Sequence, residues 1–192
     1  MVMRSIHRNN KLRWLNKVLA VVISVLAGVM VYAQTPGQLS EYDLKTAFLY
    51  QFTLYVQWPD DQLGPESEPL VFGVLGADEL AVNLKQLTAG NVQGHPIVVR
   101  QLTPYADVSG LHVLFIAAGE ESNAAEMVRA AVADSVLVVT ESTSGLPENS
   151  VINFAIVDGK VRFDVSLTNA QTARLEISSR LLQIARSVAG RP

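Results

Sequence analysis

The sequence contains no cysteine, and this absence excludes several kinds of chemistry. A chain without cysteine has no disulfide cross-link, no thiolate nucleophile and no metal site built on thiols. Histidine is scarce as well, because only His95 and His112 lie beyond the first 33 residues. They are far apart and neither has a second histidine at the spacing of a metal-binding pair, so we expect both at strand ends rather than in a metal site.

Motifs that accompany catalysis are also missing. The sequence has neither the GxGxxG loop of dinucleotide-binding proteins nor the GxSxG turn of serine hydrolases. Glu120 and Glu121 are adjacent in a predicted turn, where their side chains point in different directions, so acid–base catalysis by this pair is disfavoured. Ser178 and Ser179 have no nearby base that would activate them. We therefore predict a protein that is not an enzyme and that binds no cofactor and no metal.

The first 33 residues differ in character from the rest of the chain. Five lysines and arginines and no acidic residue precede residue 18, and residues 18–31 are apolar apart from Ser24 and Gly28. Val31-Tyr32-Ala33 then supplies small or aliphatic residues at the positions that a signal peptidase reads. This pattern predicts a secretory signal peptide over 1–33. A membrane anchor is the alternative, although the apolar run is shorter than the ~20 residues of a membrane-spanning helix.

Cleavage of this leader would change the net charge. The first 33 residues hold 5 of the 15 Lys and Arg and none of the 18 Asp and Glu, which leaves 10 against 18, or −8, for residues 34–192. A surface of that charge repels nucleic acid and anionic lipid, so neither is an expected ligand. The 159 remaining residues are enough for one domain with a full hydrophobic core.

Aromatic residues are concentrated just after the leader. Five of the thirteen lie between Phe48 and Trp58. Apolar side chains recur here at the spacing of one helical face, namely Leu44, Phe48, Phe52, Tyr55 and Val56. Ser40 and Asp43 predict a capping box at the start of a helix, and Trp58-Pro59 predicts its end. The sequence thus predicts a helix over 42–57 that must lie against a sheet or a partner.

Apolar runs of strand length alternate with helical segments through the middle of the chain. We predict strands at 70–75, 95–102, 111–117 and 135–141 and helices at 78–87 and 122–133, a pattern typical of parallel strands covered on both faces. Residues 60–69 are predicted to form an acidic surface loop. Asp158-Gly159, between 151–157 and 160–167, predicts a β-hairpin. The predicted fold is a single three-layer α/β domain with a mixed, mainly parallel sheet, a C-terminal β-hairpin and flanking helices.

The end of the chain is predicted as one long helix over 169–188, opened by a capping box of Thr168 and Gln171. Its apolar stripe consists of Ile177, Leu181, Ile184 and Val188. Glu176 and Arg180 are spaced for an i,i+4 ion pair, and Ser178-Ser179 is a point at which the helix could break into two. Arg162 and Arg180 are both expected to pair with carboxylates.

The carboxyl ends of the parallel strands are a candidate ligand site on the basis of architecture alone. Small molecules bind in crevices at this edge of α/β sheets. In this chain the crevice would be formed by residues 76–78 and 118–122.

Several segments resemble the YfiR-like family of periplasmic proteins. The opening KTAFLYQF at 45–52 with YVQWP at 55–59 is matched, and the later matches are HVLFI at 112–116, VLVVTE at 136–141, INF at 152–154, GKVRFD at 159–164 and LEISSRLL at 175–182. The resemblance runs from about residue 42 to 188 in one order. Members often carry cysteines, one of them near Leu111, whereas this chain has none. Asn149-Ser150 stands in place of the paired glycines before INF, and Ser166 in place of an expected Asn.

The resemblance implies a periplasmic regulator without catalysis. Such proteins bind the periplasmic domain of an inner-membrane diguanylate cyclase and repress it, which limits cyclic di-GMP signalling and biofilm formation. A periplasmic protein that binds or senses a small molecule is the alternative. The sequence leaves open whether the chain forms a homo-oligomer.

The aromatic helix and the acidic loop also predict a partner surface. Interface anchors are typically Tyr, Trp and Arg in small clusters. We therefore expect Tyr50 and Trp58, together with Asp60 and Asp61 of the acidic loop, at or near the surface that a partner protein contacts. The alternative is that both aromatic side chains are buried and the loop is merely solvated.

Overall fold

The computed structural model describes residues 40–87 and 91–190. The predicted signal peptide over 1–33 lies outside these residues. In chain order the described elements are α1 (Glu41–Tyr55), β1 (Val56–Gln57), β2 (Leu70–Leu75), α2 (Asp78–Leu87), β3 (Asn91–Val92), β4 (His95–Leu102), β5 (Val113–Ile116), α3 (Ala125–Ala133), β6 (Leu137–Thr140), β7 (Ile152–Val157), β8 (Lys160–Ser166), α4 (Leu167–Thr172), β9 (Glu176–Ile177), α5 (Ser179–Ile184) and β10 (Ser187–Ala189).

Within the described chain, eight strands form one sheet in the order β10-β8-β7-β6-β5-β2-β4-β3. The five central strands β4, β2, β5, β6 and β7 are parallel to one another. β8 is antiparallel to β7, β10 is parallel to β8, and β3 is antiparallel to β4. β1 and β9 form a separate antiparallel pair, with Val56 opposite Ile177. The predicted mixed, mainly parallel sheet is therefore confirmed.

The sheet has a hydrophobic core on each face because its strands are apolar on both sides. Phe72 and Phe115 point to the face that carries α1 and α2, where Phe52 and Leu80 belong to the same core. The alternate side chains of the same strands point to the opposite face, where the core includes Leu114, Ile116, Met127 and Ala131. Residues on successive positions of a strand point to opposite faces of a sheet. The described chain is thus a three-layer α/β structure, as the sequence predicted.

α1 starts as predicted and ends two residues early. Ser40 Oγ accepts a hydrogen bond from the Asp43 N–H at 3.0 Å, and Asp43 Oδ2 accepts one from the Ser40 N–H at 2.8 Å, which completes the capping box. The helix ends at Tyr55 because Val56 is extended and pairs with β9.

The buried side of α1 differs from the predicted apolar stripe. Its fully buried residues are Lys45, Thr46, Leu49, Phe52 and Thr53. Phe48 is only partly buried, at the edge of the same core. The difference arises because α1 contacts α2, β3, β8 and α5, so that the helix is covered on more than one side. Single-face periodicity does not describe a helix in such a position.

A cluster of phenylalanines joins α1 to the hairpin of β7 and β8. Phe52 lies 4.9 Å from Phe163 and 5.6 Å from Phe154, measured between ring centroids. Phe48 lies 5.5 Å from Phe163 in an edge-on arrangement. Aromatic pairs at these separations stabilise a core beyond the area that they bury. The cluster fixes α1 over the strands that carry the candidate site described below.

Most of the predicted strands agree with the structure. β2 and β4 have the predicted bounds, whereas β5 and β6 are shorter than predicted, and α3 begins at Ala125 rather than at residue 122. The hairpin turn lies at Asp158 and Gly159, with φ angles of 50° and 68°. Positive φ at both central residues is the geometry of a two-residue hairpin turn.

The predicted long helix over 169–188 is wrong. The segment contains α4, β9, α5 and β10, and α4 is capped by Ser166, whose Oγ accepts from the Asn169 N–H, rather than by Thr168. The break at Ser178-Ser179 is confirmed, because Ser178 caps α5. Glu176 lies in β9, so the predicted i,i+4 pair with Arg180 does not arise within one helix. Pairing of β9 with β1 and of β10 with β8 replaces the helical hydrogen bonds.

Candidate functional site

The residues of the predicted partner surface lie in two different environments. Trp58 is buried, with 7% of its surface exposed, and its Nε1 donates to the carbonyl oxygen of His112 at 3.3 Å. Tyr50 is partly buried against the core. Asp60 and Asp61 are exposed in the loop that follows Trp58. A buried indole offers a partner little area, so the accessible part of this set is the acidic loop and the edge of Tyr50.

His112 fastens the acidic loop to the sheet. Its Nδ1 accepts from the Val71 N–H at 3.0 Å, which leaves the proton on Nε2, and Nε2 lies 3.3 Å from the carbonyl oxygen of Gln62. Burial is the main cause that lowers the pKa of His112. The neutral imidazole therefore serves as a structural link between the loop and β2. The other histidine, His95, has Nδ1 at 2.9 Å from the carbonyl oxygen of Glu68.

A second link to the acidic loop comes from Arg174. Its Nη1 lies 3.4 Å from Asp61 Oδ2, and its Nε donates to Ser135 Oγ at 3.1 Å. Both members of the ion pair are more than half exposed, so the pair contributes little stability.

The sequence predicted ion pairs for Arg162 and Arg180, but the arginine that pairs with a carboxylate of the hairpin is Arg186, which contacts Asp164 in β8. Arg162 instead donates from Nη1 to the carbonyl oxygen of Val161 at 3.0 Å.

Lys45 forms the most unusual polar centre among the described residues. Its side chain is 0% exposed, and Nζ contacts Oε1 of Glu41, one turn earlier in α1, and Oε1 of Glu141 at the end of β6. Burial by itself would lower the pKa of Lys45, but the contacts with Glu141 and Glu41 outweigh it and raise the pKa. The lysine is therefore charged and ties α1 to the carboxyl end of the sheet. Its Nζ also lies 5.2 Å from the ring centroid of Tyr42.

A buried hydrogen-bond network places Glu141. Asn153 in β7 is 0% exposed, and its Oδ1 accepts from Thr140 Oγ1 and from the Ser142 N–H, each at 2.8 Å. Its Nδ2 donates to the carbonyl oxygen of Ser142 at 3.1 Å. Thr140 Oγ1 also lies 2.8 Å from Ser150 Oγ. The network fixes the chain on both sides of Glu141. Polar residues inside the apolar runs at 137–140 and 152–157 were the sequence signal for it, and sequence reasoning missed them.

A cavity of about 230 Å³ lies beside this centre. Its wall consists of Lys45, Glu141, Ser142, Thr143, Gly145, Asn153, Phe154, Ala155, Ile156 and Arg186. Arg186 is held by Asp164, whose Oδ1 accepts from Arg186 Nε at 2.8 Å and from Ser187 Oγ at 2.6 Å. Hydrogen bonding by Arg186 is the first cause that holds the pKa of Asp164 below its usual value. The cavity thus combines a charged wall with an apolar one.

A second cavity, of about 380 Å³, lies on the α3 face at the ends of β5 and β6. Ile116, Glu121, Arg129, Thr140 and Glu148 belong to its wall. Of the residues predicted to form a crevice, 76–78 and 118–122, Glu121 belongs to the wall of this cavity. The two segments approach each other closely at Gly76, where an added Cβ atom would lie 2.7 Å from Glu120 Cγ.

Residues 40–87 and 91–190 contain no group of three or more His, Cys, Asp or Glu that could hold a metal ion. None of the helices in the part of the chain that the structure describes is long and apolar enough to cross a membrane. Glu120 and Glu121 do not converge on one site: Glu120 accepts from Asn123 Nδ2, and Glu121 accepts from the Gly119 N–H, each at 2.9 Å.

The fold and the centre at Lys45 define a three-layer α/β protein with a helix tied by an ion pair to the carboxyl end of its sheet. The model of the YfiR/HmsC-like family matches residues 42–186, and the chain belongs to that family. The family resemblance that the sequence predicted is therefore confirmed.

A solved structure gives a further comparison. The crystal structure of a conserved domain protein from Vibrio cholerae O1 biovar eltor str. N16961 is similar to this chain with a TM-score of 0.50 and 15% sequence identity. The match covers 78% of this chain and 60% of that chain. At this identity the likeness concerns the fold alone. None of the curated proteins matches the chain.

Proposed function

We propose that this chain is a periplasmic regulator without catalytic activity, which binds the periplasmic domain of an inner-membrane diguanylate cyclase and represses it. Repression would lower cyclic di-GMP and disfavour biofilm formation. The observation that carries the proposal is membership of the YfiR/HmsC-like family over residues 42–186. The proposal is consistent with the polar centres of the described residues, which serve to fasten elements together: His112 holds a loop, and Lys45 holds a helix.

Export to the periplasm is part of this proposal. It rests on the predicted signal peptide over 1–33, with the regulator domain over 34–192. The intact mass of the protein from a periplasmic extract should match a chain that begins at Gln34. A full-length species retained in the membrane fraction would contradict export.

The acidic loop is the proposed contact with the cyclase. Asp60 and Asp61 are exposed, and the loop is fastened at its base by Trp58 and His112, so it presents a fixed acidic surface. Tyr50 adds a partly exposed aromatic side chain on α1. Fixed geometry favours binding because less freedom is lost when the partner docks.

Cyclic di-GMP measured in cells that contain the cyclase tests this contact. Tyr50→Ala and Asp61→Lys should raise cyclic di-GMP towards the level without the regulator, while the melting temperature changes little. Glu126→Lys is the matched control, because Glu126 is exposed on α3, at the opposite face of the sheet from α1. The proposed contact would be contradicted if Tyr50→Ala and Asp61→Lys both retained repression, or if the Tyr50→Ala protein melted many degrees lower.

A second candidate function is the binding of a small molecule in the periplasm. The two cavities, of about 230 and 380 Å³, favour it. A binding protein would show a saturable ligand and a melting temperature that rises with ligand concentration. This second function would be contradicted if the protein repressed the cyclase and no periplasmic extract raised its melting temperature.

A further inference from the structure

Glu141, a residue of the smaller cavity's wall, has a side-chain oxygen without a hydrogen-bond partner. Its Oε1 contacts Lys45 Nζ, whereas Oε2 is buried and has no hydrogen-bond partner among the described residues. Among the described residues, it is the only buried side-chain nitrogen or oxygen without a hydrogen-bond partner. Buried polar atoms in folded proteins nearly always have a partner, so each exception calls for an explanation.

The cavity beside Glu141 can supply that partner. Glu141 and the fully buried Lys45 form its charged wall, and Phe154, Ala155 and Ile156 form an apolar wall. The terminal carboxylate torsion of a glutamate is broad, so the carboxylate can rotate to present Oε2 to the cavity. At about 230 Å³ the cavity is smaller than the sites that take drug-sized ligands. Its occupant must therefore be small.

The charges around the cavity indicate which group would bind. Both cations of the wall are paired with carboxylates, Lys45 with Glu41 and Glu141, and Arg186 with Asp164. The charged group of the wall that still has an oxygen without a partner is the Glu141 carboxylate. A carboxylate oxygen can only accept a hydrogen bond, and a charged donor makes the stronger one. The apolar wall favours a carbon chain attached to that donor.

We propose that the cavity at Glu141 binds a small organic amine, whose ammonium group donates to Glu141 Oε2 and whose carbon chain lies against Phe154 and Ile156. The proposal deepens the second candidate function by naming its site and ligand class. It does not depend on repression of a cyclase, since a repressor can equally be controlled by a bound molecule.

Binding of three probes of equal chain length to the purified protein tests the proposal. Butylammonium, butanol and butyrate are titrated and followed by NMR chemical shifts. Butylammonium should bind saturably and more tightly than butanol, and butyrate should not bind. Glu141→Gln keeps the shape of the side chain but removes the charge, and it should weaken butylammonium binding at least tenfold, the size expected for loss of a hydrogen bond to a charged group.

Glu148→Gln is the matched control, because Glu148 is exposed, lies in the wall of the other cavity and changes the net charge by the same amount. This variant should bind butylammonium as the unaltered protein does. Should Glu141→Gln fail to fold, Thr143→Trp decides, because Thr143 is exposed at the cavity wall and a tryptophan there would fill the space.

Equal binding of butylammonium and butyrate, unchanged binding by both Glu141→Gln and Thr143→Trp, or no saturable binding of any probe would overturn the proposal. Cyclic di-GMP in cells is measured separately, so a failed amine site and a failed repressor role give different results.

Discussion

Replacement of Lys45 by methionine should destabilise the protein strongly. The substitution keeps an unbranched side chain of similar length but leaves Glu141, which is 18% exposed, without the cation that it contacts. Removal of one partner from a buried ion pair costs about 3–5 kcal/mol, and partial exposure of Glu141 places the expected loss in the free energy of unfolding at about 3 kcal/mol. Glu41 is half exposed, so its lost contact adds little.

Denaturant unfolding at pH 7 measures this loss directly. A change of about 3 kcal/mol corresponds to a melting temperature lower by roughly 6–12 °C in a chain of this size. Lys160→Met is the matched control, since Lys160 is exposed, and it should change stability by less than about 0.5 kcal/mol. The pKa of Lys45 is raised, so its stabilising effect should be complete below its ordinary pKa and should be lost only when the pH rises through the raised value.

The double variant Lys45→Met with Glu141→Leu separates the ion pair from simple packing. Replacement of a buried ion pair by apolar side chains is often nearly neutral, so the double variant should recover most of the stability lost by Lys45→Met alone. A loss below about 1 kcal/mol for Lys45→Met, or additive losses in the double variant, would contradict a stabilising role of the Lys45–Glu141 ion pair.

Three further changes have defined outcomes. The pKa of His112 is lowered, so the neutral form stabilises the fold above the ordinary histidine pKa, and stability should fall as the pH drops from about 6.5 through the lowered pKa; His112→Asn should flatten that slope in melting curves at pH 5 to 7. Asn153→Ala leaves the buried Ser142 N–H unpaired and should cost about 1–3 kcal/mol by denaturant unfolding, whereas a smaller loss than 0.5 kcal/mol would contradict the network. Gly159→Ala places a side chain at φ 68° with open space around it, so only backbone strain of about 1 kcal/mol should appear in the same assay.

The parts of the fold that could be predicted were those set by local chemistry. Ser40 and Asp43 form a capping box within four residues, and Asp158-Gly159 adopts the turn that its residue types favour. β2 and β4 have the predicted bounds because turn residues flank the apolar run of β2 and a proline stands at the second position of β4. Such features depend on neighbours in sequence.

The end of the chain was predicted wrongly because its apolar spacing fits two structures. Ile177, Leu181 and Ile184 are spaced as on a helix. However, Ile177 lies in β9, opposite Val56 of β1, and Ile184 is exposed at the end of α5. The hydrogen bonds that decide between them come from β1 and β8, which are distant in sequence. Tertiary pairing therefore overrode helical periodicity.

The centre at Lys45 could not be found from spacing. Lys45 and Glu141 are 96 positions apart, and neither residue type indicates a site by itself. Their contact depends on α1 lying over the carboxyl end of β6, which the phenylalanine cluster fixes. Trp58 shows the opposite case, because an aromatic residue that the sequence assigned to a partner surface has its side chain buried against His112.

Recovery of the partner from membranes tests the proposed function most directly. The protein with a C-terminal affinity tag is expressed in its own cells, cross-linked in the periplasm and purified from solubilised membranes, with the Asp61→Lys variant in parallel. We expect that an inner-membrane diguanylate cyclase is captured, that Asp61→Lys captures less of it, and that loss of the regulator raises cyclic di-GMP. Capture of no cyclase, together with unchanged cyclic di-GMP when the regulator is removed, would contradict it.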